Sequence, residues 1–187
     1  MNERNYTLKS KILDAAELQQ ATEALADQIY RTCGGNSTIG LIGIRTRGEF
    51  LAGRIHRILE GLFGKSIPLG YLDVSFYRDD TRAKLRQPVV QSTHVPFDVN
   101  DCTIVLVDDV LYTGRSVRAA MDELMDFGRP ACVRLAVLID RGHRELPIQA
   151  DYVGLQVKTT SEEQVRVKMR EVDDAEEVLL LVKNATD

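Results

Sequence analysis

The stretch CTIVLVDDVLYTGRS, residues 102–116, decides how this chain folds. CTIVLV is apolar and rich in β-branched residues but too short for a buried helix, so it reads as a central strand ending near Val107. The adjacent carboxylates Asp108 and Asp109 follow, then Val110, Leu111 and Tyr112, and the turn Thr113-Gly114-Arg115-Ser116. From Ser116 an apolar face at helical spacing (Val117, Ala120, Met121, Leu124) runs to Phe127, with Gly128 as the stop and Pro130 after it. A buried strand delivers the two aspartates rigidly to its carboxyl end. The helix start offers unpaired N–H groups and a partial positive charge of about half a unit to an anion. Gly114 lets the backbone approach that anion, and Thr113 and Ser116 add hydroxyl donors. The arrangement is a phosphate seat beside two carboxylates. Taken without context, the same residues also suit a plain capped turn, since Asp, Thr and Gly are common turn formers.

Outward from this unit the chain alternates strands and helices. Asp14 to Glu17 is a capping box, and Leu18, Ala21, Thr22, Leu25 and Ile29 give a first amphipathic helix closed by Gly34-Gly35. TIGLIGI (38–44) is a strand, followed by the tight loop Arg45-Thr46-Arg47-Gly48 and a second helix with the apolar face Phe50, Leu51, Ile55, Ile58, Leu59 and Leu62, ending at Gly64. Pro68 to Phe76 and Ala131 to Asp140 read as further strands, with shorter pieces near 151–155, 165–169 and 178–182. Tyr77 to His94, YRDDTRAKLRQPVVQSTH, has no periodicity; a loop that long is a functional lid or a solvated segment. The alternation implies right-handed crossovers, a parallel sheet covered on both faces, and a ligand site at the carboxyl ends of its strands.

The chain has 187 residues, 24 Lys+Arg against 28 Asp+Glu, a net charge of −4 and 44% hydrophobic residues. That composition fits one globular domain, 1–187, and excludes disordered, collagenous and disulfide-scaffold classes. No apolar run reaches the roughly 20 residues of a membrane span, and MNERNYTLKSK lacks a signal-peptide core, so a cytoplasmic protein with no membrane partner is expected. Cys33, Cys102 and Cys132 show no metal-ligand spacing.

IVLVDDVLYTGRS (104–116) resembles the phosphoribosyl-pyrophosphate (PRPP) motif of type I phosphoribosyltransferases. Within that class the chain is similar to the PyrR family, pyrimidine-operon regulators that are also uracil phosphoribosyltransferases. The resemblance runs from about residue 10 to 183, through GIRTRG (43–48), LDVSFYRDD (72–80), VDDVLYTGRSVRAAMD (107–122), GRPACVRLAVLIDRGHRELPIQADYVG (128–154) and EVDDAEEV (171–178). It implies the type I fold: a mainly parallel twisted sheet flanked by helices, a flexible lid loop and a small base-recognition hood.

The resemblance also assigns roles. Asp108 and Asp109 would hold the ribose hydroxyls and offset positive charge on the ribosyl group, with Arg78 of the lid as a third catalytic group. The segment Val110, Leu111, Tyr112, Thr113, Gly114, Arg115 and Ser116 would wrap the 5′-phosphate. Thr46 and Arg47 would hold pyrophosphate, with a non-proline cis peptide at or beside Arg45–Thr46; a guanidinium fork suits phosphate oxygens. Arg78, Arg82, Lys84 and Arg86 suit a lid closing over pyrophosphate. Arg141, Gly142 and His143 fall in the base-reading loop, where Arg141 would read the uracil edge; His143 is equally a turn histidine bonded to its own loop. Mg²⁺ would bridge PRPP oxygens with no dedicated protein cage. The implied ligands are PRPP, uracil, UMP and pyrophosphate, and the implied assembly is a homodimer or tetramer.

The implied partner of the regulatory half is the leader RNA of the pyrimidine operon. Phosphate contacts need Lys or Arg, which supply most nucleic-acid affinity. The first helix, Asp14 to Tyr30, carries Asp14, Glu17, Glu23 and Asp27 and no Lys or Arg, and Gln149 and Leu155 stand where RNA-binding relatives commonly have basic residues. A transferase with weak or absent RNA binding is therefore expected. The alternatives are a nucleotide-sensing RNA-binding attenuator with minor catalysis and a PRPP or nucleotide sensor whose catalysis is vestigial.

Overall fold

The structure, a computed structural model, describes residues 6–34, 38–74 and 93–184. The strands are β1 (Tyr6–Leu13), β2 (Ile39–Ile44), β3 (Leu69–Leu72), β4 (Thr103–Leu111), β5 (Cys132–Asp140), β6 (Tyr152–Gln156), β7 (Glu163–Lys168) and β8 (Glu177–Lys183). The helices are α1 (Ala15–Cys33), α2 (Arg47–Phe63), α3 (Arg115–Met125) and the single turn α4 (Arg170–Asp173). Five strands form a parallel sheet in the order β3-β2-β4-β5-β6, with β4 at its centre. β1, β8 and β7 form a separate antiparallel sheet, the hood.

β2 is buried at every position and β4 at nearly all, as expected of strands covered on both faces. α1 and α2 cover one face through Leu18, Leu25, Ile29, Leu51 and Ile55, in a cluster that also takes Val105 and Val107 of β4. The same cluster continues into the hood at Val165, Val167, Val178 and Leu180, so the two sheets share apolar packing. α3 covers the other face through Val117, Ala120 and Leu124, against Ile104 and Leu106. The Asp14–Glu17 capping box forms reciprocally at 2.9 Å in each direction.

The structure differs from the sequence reading in several details. β4 does not end at Val107: pairing with β5 continues through Asp108↔Val137 to Leu111↔Asp140, so both aspartates lie within the strand. α3 stops at Met125, short of Phe127, and within the described part of the 68–76 run, residues 68–74, β3 covers Leu69–Leu72. α1 runs to Cys33, up to the expected stop at Gly34, and so extends beyond the 14–30 span whose charges were counted to include Arg31, which pairs with Asp27 at 2.8 Å. β1 was not legible as a strand at all. Its exposed, mostly polar residues have no apolar period, and its place is set by a ladder to β8 at the other end of the chain, Tyr6↔Lys183 to Leu13↔Val178. No helix among the described residues is long and apolar enough to cross a membrane.

Candidate active site

The carboxyl end of β4 and the start of α3 build the candidate phosphate seat. Gly114, the residue before α3, has φ +92°, a conformation that disfavours a side chain, and Ile148 already lies 3.3 Å from where its Cβ would be. Thr113 is buried; its hydroxyl accepts the Arg115 N–H at 3.4 Å and its carbonyl accepts from Glu145 and Leu146 at 3.0 and 3.2 Å. The Arg115 side chain turns outward to Glu145, with Nη2 at 2.6 Å. What faces the seat here is therefore backbone and hydroxyl. Asp108 and Asp109 are 3% and 8% exposed, and the Asp108 carboxylate accepts the Asp109 N–H at 2.9 Å.

Thr46 and Arg47 follow β2, next to β4 in the sheet, and the Arg45–Thr46 peptide is cis. Gly48, in the first turn of α2, lies so close to β4 that a Cβ there would be 2.5 Å from the Val107 carbonyl oxygen and 3.0 Å from Asp108 Cα. This contact brings the pyrophosphate-loop candidates beside the aspartates. Arg45 pairs with Glu49 at 3.3 Å and sits over the Tyr71 ring. The Arg47 guanidinium engages Asp173 of α4 through Nε at 3.1 Å and Nη2 at 2.6 Å.

A cavity of about 350 Å³ joins the seat to the hood. Its walls include Asp108, Tyr112, Thr113, Gly114 and Ser116 on one side and Tyr6, Arg141, Glu163, Gln164 and Val165 on the other. Among the described residues its lining includes neither Asp109 nor Thr46 nor Arg47.

Arg141 is only 5% exposed, and its guanidinium is committed to the hood: Nη2 donates to the carbonyls of Thr160 (3.1 Å) and Glu163 (2.6 Å), and Nε to the Thr159 hydroxyl (3.2 Å). Its Cζ lies 4.0 Å from the Tyr112 ring centroid, and burial pushes its pKa down from the ordinary guanidinium range. Gly142 and His143 both have positive φ, and His143 Nε2 lies 2.7 Å from the Thr159 carbonyl. Arg144 is held internally as well, by Asp140 (2.6 Å) and the carbonyls of Tyr112, Gly142 and Ile148.

The Glu163 carbonyl that Arg141 takes marks the outer edge of β7. Lys183 N–H bonds to Glu162 O, so in this antiparallel pair the N–H and C=O of Glu162 and Gln164 face β8. Those of Val165 are directed to the opposite side, the edge Arg141 occupies, and Val165 lines the cavity. Tyr6, Val165 and Asp173 were not singled out in the sequence. For Asp173 the available signal was EVDDAEEV (171–178), a run of carboxylates between two strand-like pieces.

The phosphoribosyl transferase domain model matches residues 9–171. The bifunctional protein PyrR of Listeria welshimeri is 50% identical over 177 residues, covering 92% of this chain and 96% of that protein. That of Pelotomaculum thermopropionicum is 49% identical over 173 residues, with the same coverage of each chain. The chain belongs to the PyrR family of phosphoribosyl transferases. Solved structures share the fold at low identity. A hypoxanthine-guanine phosphoribosyltransferase from Bacillus anthracis matches with a TM-score of 0.69 at 18% identity, covering 92% of this chain and 98% of that one. The hypoxanthine phosphoribosyltransferase of Trypanosoma cruzi in complex with IMP gives 0.68 at 16%, covering 95% of each.

The lid candidates Arg78, Arg82, Lys84 and Arg86 lie outside the described residues. The Thr93 hydroxyl accepts the Asp73 N–H at 3.1 Å and donates to Glu123, and Tyr71 and His94 exchange backbone hydrogen bonds. For Mg²⁺, the described residues contain no group of three His, Cys, Asp or Glu side chains placed to hold an ion. The donors at the seat are hard oxygens: the Asp108 carboxylate and the hydroxyls of Thr113 and Ser116. They fit a Mg²⁺ that keeps most of its ligands as water and substrate phosphate.

Proposed function

We propose that this chain transfers the phosphoribosyl group of PRPP to uracil, giving UMP and pyrophosphate, within one 1–187 domain. The observation that carries the reading is a single cavity walled by a carboxylate and a phosphate-seating turn on one side and an open strand edge on the other. The N–H groups opening α3 and the hydroxyls of Thr113 and Ser116 hold the 5′-phosphate. Asp108 and Asp109 hold the ribose hydroxyls and offset positive charge at C1′ as its bond to pyrophosphate breaks and the bond to the uracil nitrogen forms. Mg²⁺ bound with PRPP would neutralise the departing pyrophosphate oxygens. Arg47, and Arg78 of the lid candidate, would supply positive charge there, and a lid closing over the site would keep water from the activated sugar.

On the base side, Val165 offers an N–H and a C=O on one strand edge. That pair is complementary to the alternating carbonyl and N–H groups of uracil. The bonds that the Arg141 guanidinium makes suit it to bracing this edge, and its backbone, with Gly142 and His143, closes the same end. A pyrophosphate-release assay with uracil, orotate, hypoxanthine and adenine tests the reading. Turnover is expected with uracil; hypoxanthine turned over faster than uracil would overturn it.

The word bifunctional in the relatives' names favours leader-RNA binding as a second activity. The charges argue for little of it here. Glu17 and Glu23 are exposed on α1, Arg31 is paired with Asp27, and Arg144 is held inside its own loop. In a mobility-shift titration at about 150 mM salt, leader RNA is expected to bind no more tightly than an unrelated RNA. Salt-sensitive, UMP-enhanced submicromolar binding would sink this expectation.

A further inference from the structure

Arg47 is the pyrophosphate-holding candidate, yet its guanidinium already holds an anion. Nε and Nη2 form a side-on bidentate pair with Asp173, at 3.1 and 2.6 Å. A second tie fixes Asp173, whose Oδ2 also accepts the Met169 N–H at 3.0 Å. Burial pushes the Asp173 carboxyl up, but the hydrogen bonds from Arg47 and Met169 outweigh it and leave the group below its usual range, ionised at neutral pH. Arg47, like Thr46, is at the same time absent from the lining of the cavity that Thr113, Gly114 and Ser116 face.

We propose that Asp173 is a positioning residue that occupies the Arg47 fork in place of pyrophosphate and yields it when PRPP binds. The inference rests on the phosphoribosyl-transfer reading of the site. One side-on edge of a guanidinium serves one bidentate anion at a time, and a diphosphate carries more charge than a carboxylate. The pair is part-exposed, at 29% and 18%, and so weak enough to exchange. The hood does not need this pair to stay docked. About two turns further along α2, Arg54 binds Glu171 at 3.0 and 2.7 Å and pairs with Glu176, clamping the segment around α4 independently.

Calorimetric titration of the full chain with inorganic pyrophosphate, and with UMP as a ligand that lacks the pyrophosphate group, tests the exchange. Asp173→Asn is expected to bind pyrophosphate about 3–10-fold more tightly and to lower the KM for PRPP with kcat little changed, while UMP affinity stays within twofold. Asp173→Glu, which restores the carboxylate, should bind pyrophosphate as the wild type does. Unchanged or weaker pyrophosphate binding by the Asn variant, or a Glu variant as tight as the Asn one, would overturn the proposal. In the wild type, independently of any substitution, the Arg47 Nε–H resonance should move on addition of pyrophosphate and not of UMP; a resonance indifferent to saturating pyrophosphate refutes the exchange. A wild type that binds neither ligand would instead bring down the transferase reading on which this one stands.

Discussion

Asparagine in place of Asp108 is expected to lower kcat/KM for uracil and PRPP about 10²–10³-fold while leaving the fold intact. Asn keeps the shape of the side chain and an oxygen that can accept the Asp109 N–H, which now sits 2.9 Å from the Asp108 carboxylate. It removes the negative charge. Asp108 is 3% exposed, within β4 where β5 pairs it through Val137, so the charge acts where water screens it poorly and where its position is fixed in advance. That combination favours a ribosyl group gaining positive charge over the neutral ground state. Asp109→Asn, with 8% exposure, should fall in the same range through the neighbouring ribose hydroxyl. Initial rates of pyrophosphate release, with unfolding curves as control, read the effect. Full uracil turnover in either variant would remove the aspartates from the mechanism.

The seat around these aspartates was legible because it is local. An apolar β-branched run, two carboxylates and a Thr-Gly turn before a helical period are all recorded within 102–116. The helix-length patterns of α1 and α2 were legible for the same reason, down to the Asp14–Glu17 box. The hood was not. β1 has no apolar alternation of its own and is a strand only because β8, at the other end of the chain, pairs with it. The Arg47–Asp173 and Arg141–Glu163 contacts likewise join segments with no local signal of being neighbours. The resemblance put Arg141 in the base-reading loop and Arg141 lines the cavity, but the direction of its guanidinium depends on the carbonyls of Thr160 and Glu163 that fold back over it. Residue type suggested the chemistry of each arginine; the ladder and the hood determined which anion or carbonyl each one meets.

Gly48→Ala is expected to cost about 1–3 kcal/mol of stability and about 10²-fold in kcat/KM, out of proportion to a single methyl group. The new Cβ would meet the Val107 carbonyl oxygen at 2.5 Å, Asp108 Cα at 3.0 Å and Asp108 Oδ1 at 3.2 Å. Two of these are main-chain atoms of β4, which β2 and β5 hold from either side, so the strand cannot give way cheaply. The start of α2 must withdraw instead, carrying Thr46 and Arg47 away from the aspartates, or the Asp108 carboxylate must turn. Either change damages the geometry on which catalysis depends. Gly53→Ala, on the same helix with nothing within 4 Å of its Cβ, is the matched control. There alanine only improves helix propensity, and a gain of about 0.5–1 kcal/mol with unchanged turnover is expected. Urea unfolding and steady-state kinetics on the pair separate close approach from general helix effects. A Gly48→Ala enzyme with wild-type turnover would show that the contact between α2 and β4 does not set the position of the pyrophosphate loop.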